Sequence, residues 1–241
     1  MSQITLLPVE IQTQILSYLP FYDQVHASRA CNLWQDILTS YPFRYTERYR
    51  TRTLYTPERI HLIWVHKLFF DHWEGYGGNP QSRVVEFKCG IQDGRITTYM
   101  ICDDSYTLDW ENYDTKLCQT EIETEISQSP MLDEPFFEYI PFGDKDRGVT
   151  AHKAYKLPLR VIVWGKALRY LDLGRNQENH IDDRVVVEGI SIKQLVGELW
   201  KEVEAFLRRR DRIGVVEPSQ LVFTLRDEWT DGPLRLWIEI L

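Results

Sequence analysis

Three histidines, His61, His66 and His72, share one stretch of the chain, and imidazole is both a frequent metal ligand and a frequent general base. Their spacings of five and six residues do not converge on a helix, where side chains meet at intervals of three or four. They read as ordinary surface or boundary histidines, and no metal site is expected. Cys102-Asp103-Asp104 and His152-Lys153 are reactive types, but a nucleophilic triad is a spatial arrangement that neither run supplies. Gly75-Tyr76-Gly77-Gly78 lacks the following Lys-Ser/Thr of a phosphate-cradling loop. The inventory points away from catalysis and implies no cofactor. A deep pocket joining His152 to aspartates or cysteines would favour a small-molecule-binding protein or enzyme instead.

Aromatic side chains offer a different chemistry, that of protein contact. Among eight tryptophans and thirteen tyrosines, Tyr76, Trp110, Tyr139, Trp229 and Trp237 fall in expected loops, at strand ends or on a less apolar strand face. Large aromatics dominate interface energies, so these are candidate contacts for a protein target. The competing reading is that such rings cover the outer face of a small sheet.

The elements that must position these residues follow from periodicity. Pro8 suits a first helical turn, and Glu10 lies near the positive helix end. Ile11, Ile15 and Leu19 recur at four-residue intervals and form an apolar stripe, and Pro20 ends that helix. A second helical run begins near Asp23, and Trp34, Ile37 and Leu38 suit the buried side of the last helix before Tyr41-Pro42-Phe43. Residues 44–56 read as a link to a connecting helix, capped by Thr56 with Pro57 in its first turn. Ile60, Ile63, Trp64, Leu68 and Phe69 supply its stripe, and it should stop before Gly75.

From about residue 83 the period becomes two. Val85, Phe87, Cys89 and Ile91 alternate with more polar neighbours, Asp93-Gly94 predicts a hairpin turn, and residues 95–102 form the returning strand. Ser105 to Trp110 reads as a further short strand. Residues 120–126 (TEIETEI) alternate and read as a half-buried strand. Residues 142–150 form a loop, 158–164 a strand, 167–173 another, and 176–183 a polar loop before Val185-Val186-Val187. Ser191 with Gln194 predicts a capping box, followed by an amphipathic helix to about residue 210. Strands are expected at 221–226 and 234–240, the last tucked into a sheet. No repeat period appears.

The ordered set Leu7-Pro8-x-Glu10-Ile11, Ile15-Leu16, Leu19, Asp23, Cys31 and Trp34 resembles the F-box, a short helical module, over roughly residues 4–45, under a fifth of the chain. That resemblance implies docking onto a Skp-family adaptor and, through it, a cullin–RING ubiquitin ligase. It places Leu7 and Pro8 against the adaptor and divides Ile11, Ile15, Leu16 and Leu19 between the module's own core and the interface. Ala27, Ser28 and Cys31 match the family's second helical stretch, and Trp34 its characteristic tryptophan; adaptor-binding residues are therefore expected among Leu7, Pro8, Ile11, Ile15, Leu16, Leu19, Ala27, Cys31 and Trp34. Ala30 stands where many members carry a larger aliphatic. The resemblance implies a substrate-recognition subunit without catalysis of its own, with a non-ligase interaction or regulatory protein as the alternative.

Composition is compatible with that role. Net charge is −8, and residues 1–50 balance four basic against four acidic side chains, so the excess lies entirely beyond residue 50. That argues against a general nucleic-acid binder. Four widely spaced cysteines without a CxxC pair, Cys31 among them as an expected buried thiol, imply a reducing compartment. No secretory leader pattern and no apolar run of about eighteen residues is present, so cytoplasmic or nuclear residence without a membrane segment is expected. Arg208-Arg209-Arg210-Asp211-Arg212 reads as the solvated end of a helix. The expected fold class is α+β: a three-helix module over residues 1–45, a linker and connecting helix over 46–80, and a mixed α+β target-binding domain over 81–241. That domain should hold a largely antiparallel sheet and one long amphipathic helix.

Overall fold

The computed structural model describes residues 6–19, 21–40, 43, 47–55, 60–70, 72–74, 81–108, 116–140, 156–165, 179–210, 220–226 and 234–241. Three short helices open the fold: α1 (Val9–Ser17), α2 (Phe21–Ser28) and α3 (Asn32–Thr39). Pro8 caps α1 with extended backbone (φ −53°, ψ 146°), and its carbonyl accepts from the amides of Ile11 and Gln12 at 3.1 Å each. A proline costs nothing there, because the first amides of a helix have no intrahelical acceptor.

The expected connecting helix is absent, and so is a structureless link before it. The chain instead forms β1 (Tyr49–Tyr55) and β2 (Ile60–His66), paired antiparallel from Tyr49↔His66 to Tyr55↔Ile60. Thr56 and Pro57 lie outside the described residues. Ile60–His66 (IHLIWVH) is rich in β-branched and aromatic side chains, which favour the pleated conformation. Ile63 and Val65 point into the core, while Leu62 and Trp64 on the opposite face are half-buried. Leu68 and Phe69 belong to a one-turn 3₁₀ helix (Lys67–Phe69). The apparent helical spacing thus arose from joining a strand's apolar residues to those of a turn. With β7 (Phe137–Ile140), this pair completes a three-stranded antiparallel sheet in the order β1-β2-β7.

The second sheet has eight strands. Its main path uses β4 (Gln81–Gln92), β5 (Arg95–Leu108), β6 (Lys116–Glu125), β8 (Lys156–Gly165), β9 (Asn179–Val187), β10 (Gln220–Arg226) and β11 (Leu234–Ile240), in the order β6-β5-β4-β10-β11-β8-β9. A short β3 (His72–Glu74) pairs with β4 beside β10. All these pairings are antiparallel except β11 with β8. The β4–β5 hairpin turns at Asp93-Gly94 with φ of 51° and 69°. Two successive residues with positive φ give the type I′ geometry that matches strand twist, and only glycine takes the second without strain.

Two further expectations are corrected. Ser105–Leu108 continues β5 rather than forming a separate strand, and residues 179–183 form the first half of β9 rather than a polar loop. The charged run misled because an end strand of a sheet tolerates polar side chains. Residues 120–125 are strand, as alternation indicates. The expected strand over 167–173 and the loop over 142–150 lie outside the described residues.

The long helix, α4 (Ile192–Arg210), begins where the capping box predicts: Gln194 N–H donates to Ser191 Oγ and Ser191 N–H to Gln194 Oε1, both at 3.2 Å. Its inner side chains, Leu195, Val196, Leu199, Trp200, Val203 and Phe206, join Phe87, Ile101, Leu221, Phe223 and Ile238 of the large sheet in one core. Ile63, Val65 and Phe137 bring the small sheet into the same cluster. Trp200 Nε1–H donates to the Gly94 carbonyl at 3.0 Å, tying the helix to the hairpin turn. Among the described residues no helix is long and apolar enough to cross a membrane.

Candidate docking surface

A second, smaller core lies within the three helices: Leu16, Ala27, Ile37, Leu38 and Phe43, flanked by Leu19 and Trp34. Two glutamines fix the backbone around it. Gln12, almost fully buried, donates from Nε2 to the Leu7 carbonyl at 2.7 Å and accepts at Oε1 from Trp34 Nε1–H at 2.8 Å. Gln24 donates from Nε2 to the Leu19 carbonyl at 2.9 Å. A buried amide costs free energy unless bonded, so Gln12, satisfied at both ends, specifies how the segments carrying Leu7 and Trp34 meet.

The apolar side chains in and beside α1 differ in burial. Leu16 points inward, whereas Leu7 is 39% exposed, Ile11 43% and Tyr18 78%, with Ile15 half-buried between them. Ile11 and Ile15 share one face of α1 at helical spacing, with Leu7 just before the Pro8 cap and Tyr18 just after the last turn. Leu6, Val9 and, on α3, Leu33 are also exposed.

Of the residues expected to touch an adaptor, Leu7, Pro8 and Ile11 are at the surface, and Ile15, Leu19, Cys31 and Trp34 are half-buried. Leu16 and Ala27 lie inside the module's own cluster and present no surface to a partner. Cys31 is half-exposed rather than buried. Leu6, Val9, Tyr18 and Leu33 were not among the residues expected to touch an adaptor, yet all four are exposed beside those that are.

Helix α2 joins the module to the sheets. Phe21, Tyr22 and Val25 belong to the main core. Tyr22 Oη and Thr124 Oγ1 are 3.0 Å apart, Thr124 Oγ1 and His26 Nε2 3.1 Å, and Arg29 Nη1–H donates to the Glu125 carbonyl at 3.3 Å. Thr124 and Glu125 belong to β6, an end strand of the large sheet, so α2 packs along that end.

Close to this junction lies a buried ionic group absent from the sequence reading. Arg48 and His66 both meet the carboxylate of Glu134, Arg48 through Nη1 to Oε1 and His66 through Nε2 to Oε2 at 3.2 Å. His66 is fully buried, correcting its expected boundary position; its Nδ1 accepts from the Leu68 amide at 3.1 Å, and its ring meets those of Phe21 and Tyr49 edge to face. The Glu134 carbonyl accepts from Ile192 N–H at 3.0 Å, which connects the small sheet to the start of α4. Nothing in the spacing of residues 48, 66 and 134 announces this group.

Cys89 and Cys102 are free, buried thiols of the strand-rich part. Burial pushes the Cys102 thiol up to about 12 and the Cys89 thiol well above its ordinary value, and such protonated thiols are poor nucleophiles. Tyr139, on β7, is half-buried and packs against the main core, while Trp237 is buried on β11. Tyr76, Trp110, Trp229 and His152 lie outside the described residues. An open hollow of about 330 Å³ borders Arg184 to Ile190 and the first turns of α4.

Three short helices around a compact core, with apolar side chains left on the outer face of the first, define a protein-interaction module. Residues 4–43 match the F-box-like family model, so the chain carries an F-box-like domain at its amino terminus. No curated protein and no solved structure matches the chain.

Proposed function

We propose that the chain is a substrate-recognition subunit of a Skp–cullin–F-box type ubiquitin ligase. The surface built on Leu7 and Pro8, at the entrance to α1, and on Ile11 and Ile15 within it docks the Skp-family adaptor, and the strand-rich domain holds a protein target. F-box domains typically bind such adaptors, which links this reading to the match at residues 4–43. The observation that carries it is the exposure of Leu7 and Ile11 while the module's other side is packed into the chain's own core. An aliphatic face left in water at the end of a folded domain gains free energy when a second protein covers it. Catalysis belongs to the partners: the subunit raises the local concentration of target near a charged ubiquitin-carrying enzyme. The free Cys31, Cys89 and Cys102 thiols support work in a reducing compartment, the cytoplasm or the nucleus.

Titration of the purified full chain with a Skp-family adaptor tests this reading. Wild type should bind, and Leu7→Asp/Ile11→Asp should weaken binding at least tenfold without shifting thermal unfolding, because both positions are exposed. Failure of the wild type to bind, or equal binding by the variant, overturns the docking assignment. Adaptor binding without transfer of ubiquitin to any co-purified target in a reconstituted ligase overturns the ligase role alone.

A further inference from the structure

Gln12 has 1% of its surface exposed, yet its side-chain amide meets partners from two separate segments. Those partners fix which end of the amide is which. An indole N–H only donates and a main-chain carbonyl only accepts, so Oε1 faces Trp34 Nε1 at 2.8 Å and Nε2 faces the Leu7 oxygen at 2.7 Å. A glutamate at this position would turn an acceptor toward the Leu7 carbonyl. A lysine would offer the indole no acceptor, and a leucine would answer neither group. Buried this deeply, the unmet groups would find no water in its place. The position calls for an amide.

The bond to Leu7 matters because of where that residue lies. It precedes Pro8, whose carbonyl is the first to accept from the amides of α1, so Leu7 stands outside the helical ladder. Ile11, by contrast, is placed by the helix itself. A proline restricts the residue before it to extended backbone, and a hydrogen bond to that residue's carbonyl fixes the plane of the peptide joining the two. Together they set the direction in which the exposed Leu7 leaves the module. The Trp34 indole in turn holds the Gln12 amide in the orientation this requires.

We propose that Gln12 is a positioning residue for adaptor docking: with Trp34 behind it, its amide holds Leu7 ready at the entrance to α1 before the partner arrives. The proposal rests on the adaptor reading of this surface. A segment already ordered in its bound geometry spares the complex the freedom that ordering would cost. Gln12 therefore raises affinity although, being buried, it does not touch the partner.

Titrating a Skp-family adaptor into variants of the full chain tests this by double-mutant cycles. Gln12→Met, similar in length but without a donor, should weaken binding about fivefold, the scale of one hydrogen bond. In a Leu7→Ala background the same change should weaken it by less than about twofold, because the side chain being positioned is gone. In an Ile11→Ala background the loss should remain about fivefold, because the helix places that residue without Gln12. A general loosening of the helices would weaken binding alike in all three backgrounds, so the cycles separate positioning from stability. Trp34→Phe keeps an aromatic ring and removes only the indole N–H as a donor. It should show the same pattern at about two- to threefold, which decides the matter even if Gln12→Met folds poorly. Equal losses in the three backgrounds, or unchanged affinity for both variants, overturn the proposal while adaptor docking stands. Absence of binding by the wild type overturns both.

Discussion

Replacing Glu134 with glutamine tests the buried ionic group that joins the small sheet to α4. The substitution keeps the side chain's shape and removes its charge. Arg48, with 5% of its surface exposed, then faces a neutral amide where a carboxylate stood, and His66 loses a charged partner at Nε2. Removing one member of a buried ion pair costs about 3–5 kcal/mol, since the remaining charge stays out of water. For a chain of this size that corresponds to a fall in Tm of roughly 6–20 °C. Urea unfolding followed by tryptophan fluorescence and far-UV circular dichroism measures the change. The double variant Arg48→Met/Glu134→Leu should recover much of the loss, because the unbalanced charge goes with its partner. A loss below about 1 kcal/mol for Glu134→Gln, the scale of an exposed pair, would refute the burial argument. A double variant as unstable as the single would assign the cost to packing instead.

Leu16→Ala should destabilise the protein by about 2–5 kcal/mol through the cavity left in the helical core, whereas Ile11→Ala should cost no more than about 0.5 kcal/mol; equal losses in urea unfolding would contradict the division of α1 into inner and outer faces. Stability should also decline in alkali. Burial holds Tyr99 and Cys102 protonated up to about 12, above ordinary values of 10.0 and 9.0, and raises Cys89 as well. The unfolded chain therefore releases these protons first, so their contribution is complete below pH 9 and is lost as pH rises toward 12. A Tm that stays level from pH 8 to pH 11 would contradict this linkage.

Legibility in the sequence followed the range of the interaction that fixes each element. The capping box at Ser191 and Gln194, the Asp93-Gly94 turn and the stripe from Ile192 to Phe206 are local, and each forms where the residues indicate. Ile60–His66 misled because one set of apolar residues fits two periods when a strand runs directly into a turn. Pairing with Tyr49–Tyr55 decides between them, and that pairing is not local. The outward face of α1 was partly legible: Ile11 and Ile15 carried the four-residue spacing, but Leu19, read as its third member, packs beside the helical core, and only packing shows that Leu16 turns inward. Gln12 gave no signal, since its two bonds depend on where Leu7 and Trp34 arrive. The Glu134 cluster was invisible for the same reason, since it joins segments distant in the chain.

Helix α2 contributes Phe21, Tyr22 and Val25 to the core of the sheets and Ala27 to that of the helical module. Melting either core strips the other of side chains, so the two halves should unfold together, with tryptophan fluorescence and far-UV circular dichroism giving one coincident transition. Anything that grips the helices in their native form protects the distant strands by mass action, by about 2.7 kcal/mol at a ligand concentration one hundred times Kd. Resistance of the sheets to proteases should accordingly rise and fall with occupancy of the helices, which would make the protein's own lifetime a gauge of whether it is assembled.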